Sequence, residues 1–170
     1  MSEGPRFYGK YRATVLNNVD LQNQGRIQVQ LADRYGLFPS TWALPSFPFA
    51  GLAQSGMVAL PPLASAVWVE FEAGDPDYPI WTGAFYPDPA SFPVLAMGLT
   101  PLTPNLHMQT TTGVSFTLSD NPAAQVMIKT PTGASIIIGA AGITISNGQG
   151  ATIAMAGPSV AINGAALVVT

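Results

Sequence analysis

The 170-residue chain has no cysteine, a single histidine and little charge: Asp, Glu, Lys and Arg together make 9%, against about 25% in ordinary soluble domains. Without cysteine there is no disulfide, no thiolate metal site and no cysteine nucleophile. Six basic residues against nine acidic ones, net −3, cannot neutralise a phosphate backbone, so no nucleic-acid partner is expected. No apolar run of 18 residues is free of Gly or Pro, and Met1-Ser2-Glu3-Gly4-Pro5-Arg6 leads into no apolar core. Neither a membrane span nor a signal peptide is expected.

The charge that exists is unevenly spread. Thirteen of the fifteen charged residues precede residue 89, and beyond it only Asp120 and Lys129 remain. From about Thr110 to Thr170, short apolar runs alternate with small or polar residues, the period of strands. The apolar positions are Val114, Phe116 and Leu118, then Val126 with Ile128, Ile136 with Ile138, Ile143 with Ile145, Ile153 with Met155, Val160 with Ile162, and Leu167 with Val169. Seven strands are expected, separated by corners such as Pro131-Thr132-Gly133, Asn147-Gly148-Gln149-Gly150 and Asn163-Gly164. An array this poor in Lys and Glu has nothing to blunt its edges or cover its apolar face, which points to an obligate oligomer.

The first half reads as another β unit. Tyr11 to Leu16, Arg26 to Leu31, a short stretch around Trp42, Met57 to Leu60, Val67 to Glu72 and Ile80 to Tyr86 are candidate strands. Val67, Val69 and Phe71 face inward and Trp68, Glu70 and Glu72 outward. Short strands without a helical period suggest a small β-barrel over residues 10–88 after an extended arm, 1–9. Pro87, Pro89, Pro93, Pro101 and Pro104 punctuate and stiffen the stretch that leads into and through a linker, 89–104, ahead of the strand array, 105–170.

Two stretches resemble the central spike proteins of contractile injection machines: phage baseplate assembly protein V, the VgrG spikes of type VI secretion and spikes of related tail-like particles. The first runs from Gly9-Lys10-Tyr11-Arg12 through Gly25-Arg26-Ile27-Gln28-Val29 to the segment Val67–Gly83. Within it Glu70, Phe71, Gly74, Asp75, Pro76, Pro79, Ile80, Trp81 and Gly83 look like that family's OB-fold signature. The second comprises Thr111-Thr112-Gly113, Asp120, Lys129-Thr130-Pro131-Thr132-Gly133 and Gly142-Ile143-Thr144-Ile145, similar to the family's tail repeats.

The resemblance implies an all-β chain, an N-terminal OB-fold barrel followed by a C-terminal intertwined triple-stranded β-helix, in which three copies share a prism roughly 35 Å long at about 4.8 Å per strand. It implies a structural homotrimer that links a hub to a tip and pierces a target envelope on contraction, with transient membrane contact. Such a spike is made in the cytoplasm, mounted in a virion or injection-particle baseplate, and acts outside the cell. Hub domains fused ahead of the barrel in VgrG are missing, so a separate hub protein is implied. At the other end Leu167, Val168, Val169 and Thr170 would offer an apolar platform to a PAAR-type tip protein. Where the family often has Gly, this chain has Ala64. Some members end in a His-x-His iron site, but the only histidine here is His107, so no metal tip and no cofactor are expected.

Other chemistry has weaker support. His107 has no nearby acid in sequence and reads as a surface or inter-chain hydrogen-bonding residue, so no catalytic residue is assigned. Glu70, Glu72, Asp75 and Asp77 could serve acid-base work or hold a cation, but they read more simply as a solvated face. Trp42, Trp68, Trp81, Phe47 and Phe49 are candidates for the stacking platform of a carbohydrate- or ligand-binding OB module with an oligomerisation tail. An exposed aromatic groove would mark that alternative.

Overall fold

The computed structural model describes residues 5–93, 105–164 and 166–169. Arm residues 1–4, most of the expected linker and Thr170 lie outside the described residues. The chain divides into two compact units, Met1–Pro89 and Ala90–Thr170.

The first unit is a five-stranded sheet rolled shut. Its strands are β1 (Tyr11–Asn17), β2 (Gln28–Gln30), β3 (Leu44–Pro45), β4 (Ala66–Phe71) and β5 (Pro79–Ala84), in the order β2-β1-β4-β5-β3. All pairings are antiparallel except β3 with β5. The terminal strands of that order meet through an isolated bridge, in which Ile27 and Ala43 exchange N–H···O bonds of 3.1 and 2.8 Å. Closure leaves no free edge along this seam. Alternation then sends Ala13, Val15, Ile27, Val29, Leu31, Ala43, Val67, Val69, Phe71 and Trp81 into one core.

Three local features differ from the sequence reading. Met57 to Leu60 forms no strand. Instead Ala50 bridges Gly56, and Met57 N–H donates to the Phe49 carbonyl at 3.2 Å, so the segment folds back on its own hairpin. A single helical turn, α1 (Ala32–Tyr35), follows β2; four residues are too few to display a helical period. β5 ends at Ala84, after which Phe85 N–H still reaches the Ala66 carbonyl at 3.1 Å.

The second unit is an antiparallel meander of eight strands in strict sequence order. They are β6 (Asn105–Gln109), β7 (Ser115–Ser119), β8 (Val126–Lys129), β9 (Ser135–Gly139), β10 (Gly142–Ser146), β11 (Thr152–Ala156), β12 (Ser159–Ile162) and β13 (Leu167–Val169). The seven strands expected after Thr110 are all present, and β6 precedes them. Corners stack on one another along the sheet margins. At Gly142, φ is +132° and an added Cβ would strike the Met155 carbonyl, so no other residue fits there. Gly148 leaves an added Cβ only 2.6 Å from the Thr132 carbonyl of the preceding corner.

Candidate assembly face

Strand register sorts the second unit into two chemically distinct faces. Each strand from β6 to β12 places two apolar residues on one face: Leu106 and Met108, Phe116 and Leu118, Val126 and Ile128, Ile136 and Ile138, Ile143 and Ile145, Ile153 and Met155, Val160 and Ile162; β13 adds Leu167. Every cross-strand pair between them is apolar on apolar, from Leu106↔Leu118 and Met108↔Phe116 at one margin to Ile162↔Leu167 at the other. A period of two and hairpins of fixed length keep these two columns aligned without a slip, since a one-residue shift would turn every side chain over. Val114 has the same parity but sits in the corner before β7, where its carbonyl accepts the Thr110 N–H at 2.9 Å.

This face is uncovered in the single chain. Leu106, Leu118, Ile128, Ile136, Ile138, Ile145, Ile153, Ile162 and Leu167 retain 37–53% of their accessible surface. Isolated apolar side chains at a surface need no account, but a continuous field two residues wide and seven strands long, β6 to β12, does. Leu106 and Met108 were not among the residues singled out from sequence. Their signal was the alternation Asn105-Leu106-His107-Met108-Gln109, masked by three polar residues and the prolines ahead of it.

The opposite face is polar near β7, carries the apolar pair Met127↔Ile137 across β8 and β9, and is small or polar from β10 to β12. His107 pairs with Thr117 across β6 and β7, and its Nδ1 is hydrogen-bonded to Thr117 Oγ1 at 2.8 Å while Nε2 meets Gln109 Oε1 at 3.2 Å. Thr117 is 1% exposed and Ser115 3%. No carboxylate takes part, so the histidine braces the ladder. Among the described residues no group of three or more His, Asp or Glu gathers to hold a metal ion.

In the first unit the signature residues build one corner of the barrel. Phe71 is buried edge-on against Phe7 and Tyr11, with ring centroids 5.5 Å apart in each case. Gly74, at φ +76°, accepts the Phe7 N–H at 2.8 Å and lies beneath Tyr8, whose ring leaves no room for a Cβ. Asp75 caps the turn, its Oδ1 accepting the Asp77 N–H at 3.1 Å, with Pro76 next in the turn. Pro79, Ile80 and Trp81 then pair with Phe71, Glu70 and Val69, and Gly83 at φ +143° lies opposite Trp68 beside a bulge. Of the four carboxylates, Glu70 binds Lys10 at 2.8 Å and Asp75 lies 3.8 Å from Arg6.

Most of the candidate stacking rings are engaged rather than displayed. Trp81 is buried, its Nε1 donates to the Gly25 carbonyl at 3.1 Å, and Phe47 stands edge-on to it at 5.5 Å. Trp42 faces Arg26 at 5.4 Å, and Trp68 contacts Phe85 at 4.6 Å. Phe49 is the exception, 59% exposed. Of the five candidate rings only Phe49 is open, so these five do not make the row of exposed rings that the carbohydrate-binding alternative requires. Asp20, outside this set, clamps the β1–β2 loop. It accepts backbone N–H groups from Gln22, Gln24 and Arg26 and the Arg26 guanidinium at 2.6 Å. The Arg26 side chain, helped by those N–H groups, holds its carboxyl well below the usual carboxylate range against the opposing effect of burial.

Comparison with known families divides the chain in the same place as its geometry. Residues 11–86 match the type VI secretion system/phage-baseplate injector OB domain. Residues 105–168, which carry β6 to β13, match the phage baseplate V C-terminal trimerisation domain. No curated protein matches the chain.

Proposed function

Because the chain belongs to the phage baseplate V family, with an injector OB domain followed by a trimerisation domain, we propose that it is the homotrimeric central spike of a contractile phage tail or injection particle. The uncovered apolar ladder of β6 to β13 carries this reading. Three copies turning that face inward would bury it around a common axis, as a triple-stranded β-prism does. Its core would be Val114, Phe116, Leu118, Val126, Ile128, Ile136, Ile138, Ile143, Ile145, Ile153, Met155, Val160 and Ile162, extended by Leu106 and Met108. The barrel, residues 10–88, would seat against a separate hub, and the linker 89–104 would pass force to the prism, 105–170.

The work is mechanical. Strands lying across the axis share an axial load over many backbone hydrogen bonds at once, so the prism resists compression instead of peeling strand by strand. Two charged residues after residue 88 keep desolvation cost low during passage through a bilayer. At the far end Leu167, Val168, Val169 and Thr170 from three chains would seat a PAAR-type tip. The matched families are structural parts of baseplates, in keeping with a role without turnover.

Absolute mass by light scattering tests the assembly. A trimer, three times the 17.7 kDa chain, is the expected result. A stable monomer or dimer at micromolar concentration would overturn the prism.

A further inference from the structure

On the outer face of the barrel, one cation is treated unlike its neighbours. Arg6 lies 3.8 Å from Asp75, Lys10 2.8 Å from Glu70 and Arg26 2.6 Å from Asp20. Arg12 has no ion pair or hydrogen bond among the described residues. Instead its guanidinium carbon lies over two rings, 5.2 Å from the centroid of Trp68 and 4.9 Å from that of Phe85, and these rings touch each other at 4.6 Å. Register explains the cluster: Arg12 pairs with Trp68 across β1 and β4, and Trp68 faces Gly83, which has no side chain to displace either ring.

We propose that Arg12, held on Trp68 and Phe85, is a docking point for a carboxylate side chain of a protein partner at the barrel end. The aromatic platform favours the cation electrostatically and reduces the rotamer freedom to be lost on binding. Five N–H donors in a fixed fork remain to meet two carboxylate oxygens. Trp and Arg together are the composition of interface hot spots. A phosphate-rich partner fits less well, because the cations that precede and follow it in sequence, Arg6, Lys10 and Arg26, are already occupied by carboxylates. The proposal deepens the reading of the barrel as a docking module, and it concerns one surface independently of how the tail assembles.

The test uses the full-length trimer and two peptides, a glutamate-rich octamer and its glutamine counterpart. Chemical shifts of the Arg12 Nε–H and the Trp68 indole N–H are followed by NMR at low salt. The glutamate peptide is expected to shift both signals saturably, the glutamine peptide neither. Arg12→Lys keeps the charge and stem but loses the fork, and should weaken binding at least tenfold; Arg12→Gln should abolish it. Equal binding by the lysine variant would reduce the site to a point charge and overturn the proposal, as would shifts with the glutamine peptide or with neither. An Arg12 signal already in its carboxylate-bound position and indifferent to both peptides would assign the acid to a neighbouring copy, which also overturns it. Light scattering on each variant separates these outcomes from a failure of the trimer itself.

Discussion

At the level of single residues, two positions in the barrel make opposite demands. Ala64 adopts φ +64°, a left-handed conformation that costs an alanine about 1–2 kcal/mol, while its N–H donates to the Val15 carbonyl at 2.9 Å and fixes the entry to β4. Ala64→Gly should relieve the strain and recover up to about 1 kcal/mol after the added chain entropy is subtracted, read as a higher urea midpoint. A lower midpoint would mean that the alanine side chain contributes packing. Asp20 is the reverse case, well satisfied where it sits. A carboxylate with a depressed folded value adds stability above its unfolded value, near 3.9, and loses that contribution as pH falls below it. The barrel should therefore weaken below about pH 4. Asp20→Asn should be the less stable protein at pH 7, with the gap narrowing by pH 3 in urea melts. A gap unchanged between the two pH values would remove Asp20 from the acid response.

At the level of the element, the tail tests the period-two argument. Ile138 lies between Val126 and Ile143 in one apolar column. Ile138→Asp would place an unpaired carboxylate in that column three times per trimer, at several kcal/mol each, and light scattering should find no trimer. A soluble, heat-stable trimer from that variant would put Ile138 on the outside. The tail strands were legible because alternation persists through most of them and each corner carries or is flanked by Gly, Asn or Pro; β8, β9 and β13, with the apolar triplets Val126-Met127-Ile128, Ile136-Ile137-Ile138 and Leu167-Val168-Val169, are placed by the same period in their neighbours. The barrel was less so. Val67, Val69 and Phe71 could be placed inward by alternation alone, and the observed core contains all three. The hairpin at 49–57 and the turn α1 have no period to read, because their geometry comes from local hydrogen bonds such as Gly51 N–H to the Ser55 carbonyl at 2.8 Å. Which face of the tail stays open follows from register, visible in sequence. The stacking of Arg12 on Trp68 depends on pairing between residues 56 apart, which no local pattern encodes.

For the whole molecule, the two units solve the problem of covering apolar surface in different ways, and their stabilities should differ in kind. The barrel closes on itself: Ile27, Val29, Val67 and Val69 are fully buried within one copy. The meander has one apolar face and nothing of its own to lay over it. A fragment of residues 1–89 should therefore fold as a monomer whose melting temperature does not change with concentration. A fragment from Asn105 to Thr170 should be folded only as a trimer, and because dissociation accompanies its unfolding, its melting temperature should rise with concentration. Calorimetry over a hundredfold range of each fragment distinguishes the two behaviours. A tail fragment that melts cooperatively as a monomer would mean that the sheet is self-sufficient, and the apolar ladder would then need another explanation than assembly. A barrel fragment that unfolds on isolation would mean that its loops, with Leu37 and Leu52 87% and 94% exposed, depend on neighbouring chains for their stability as the tail does.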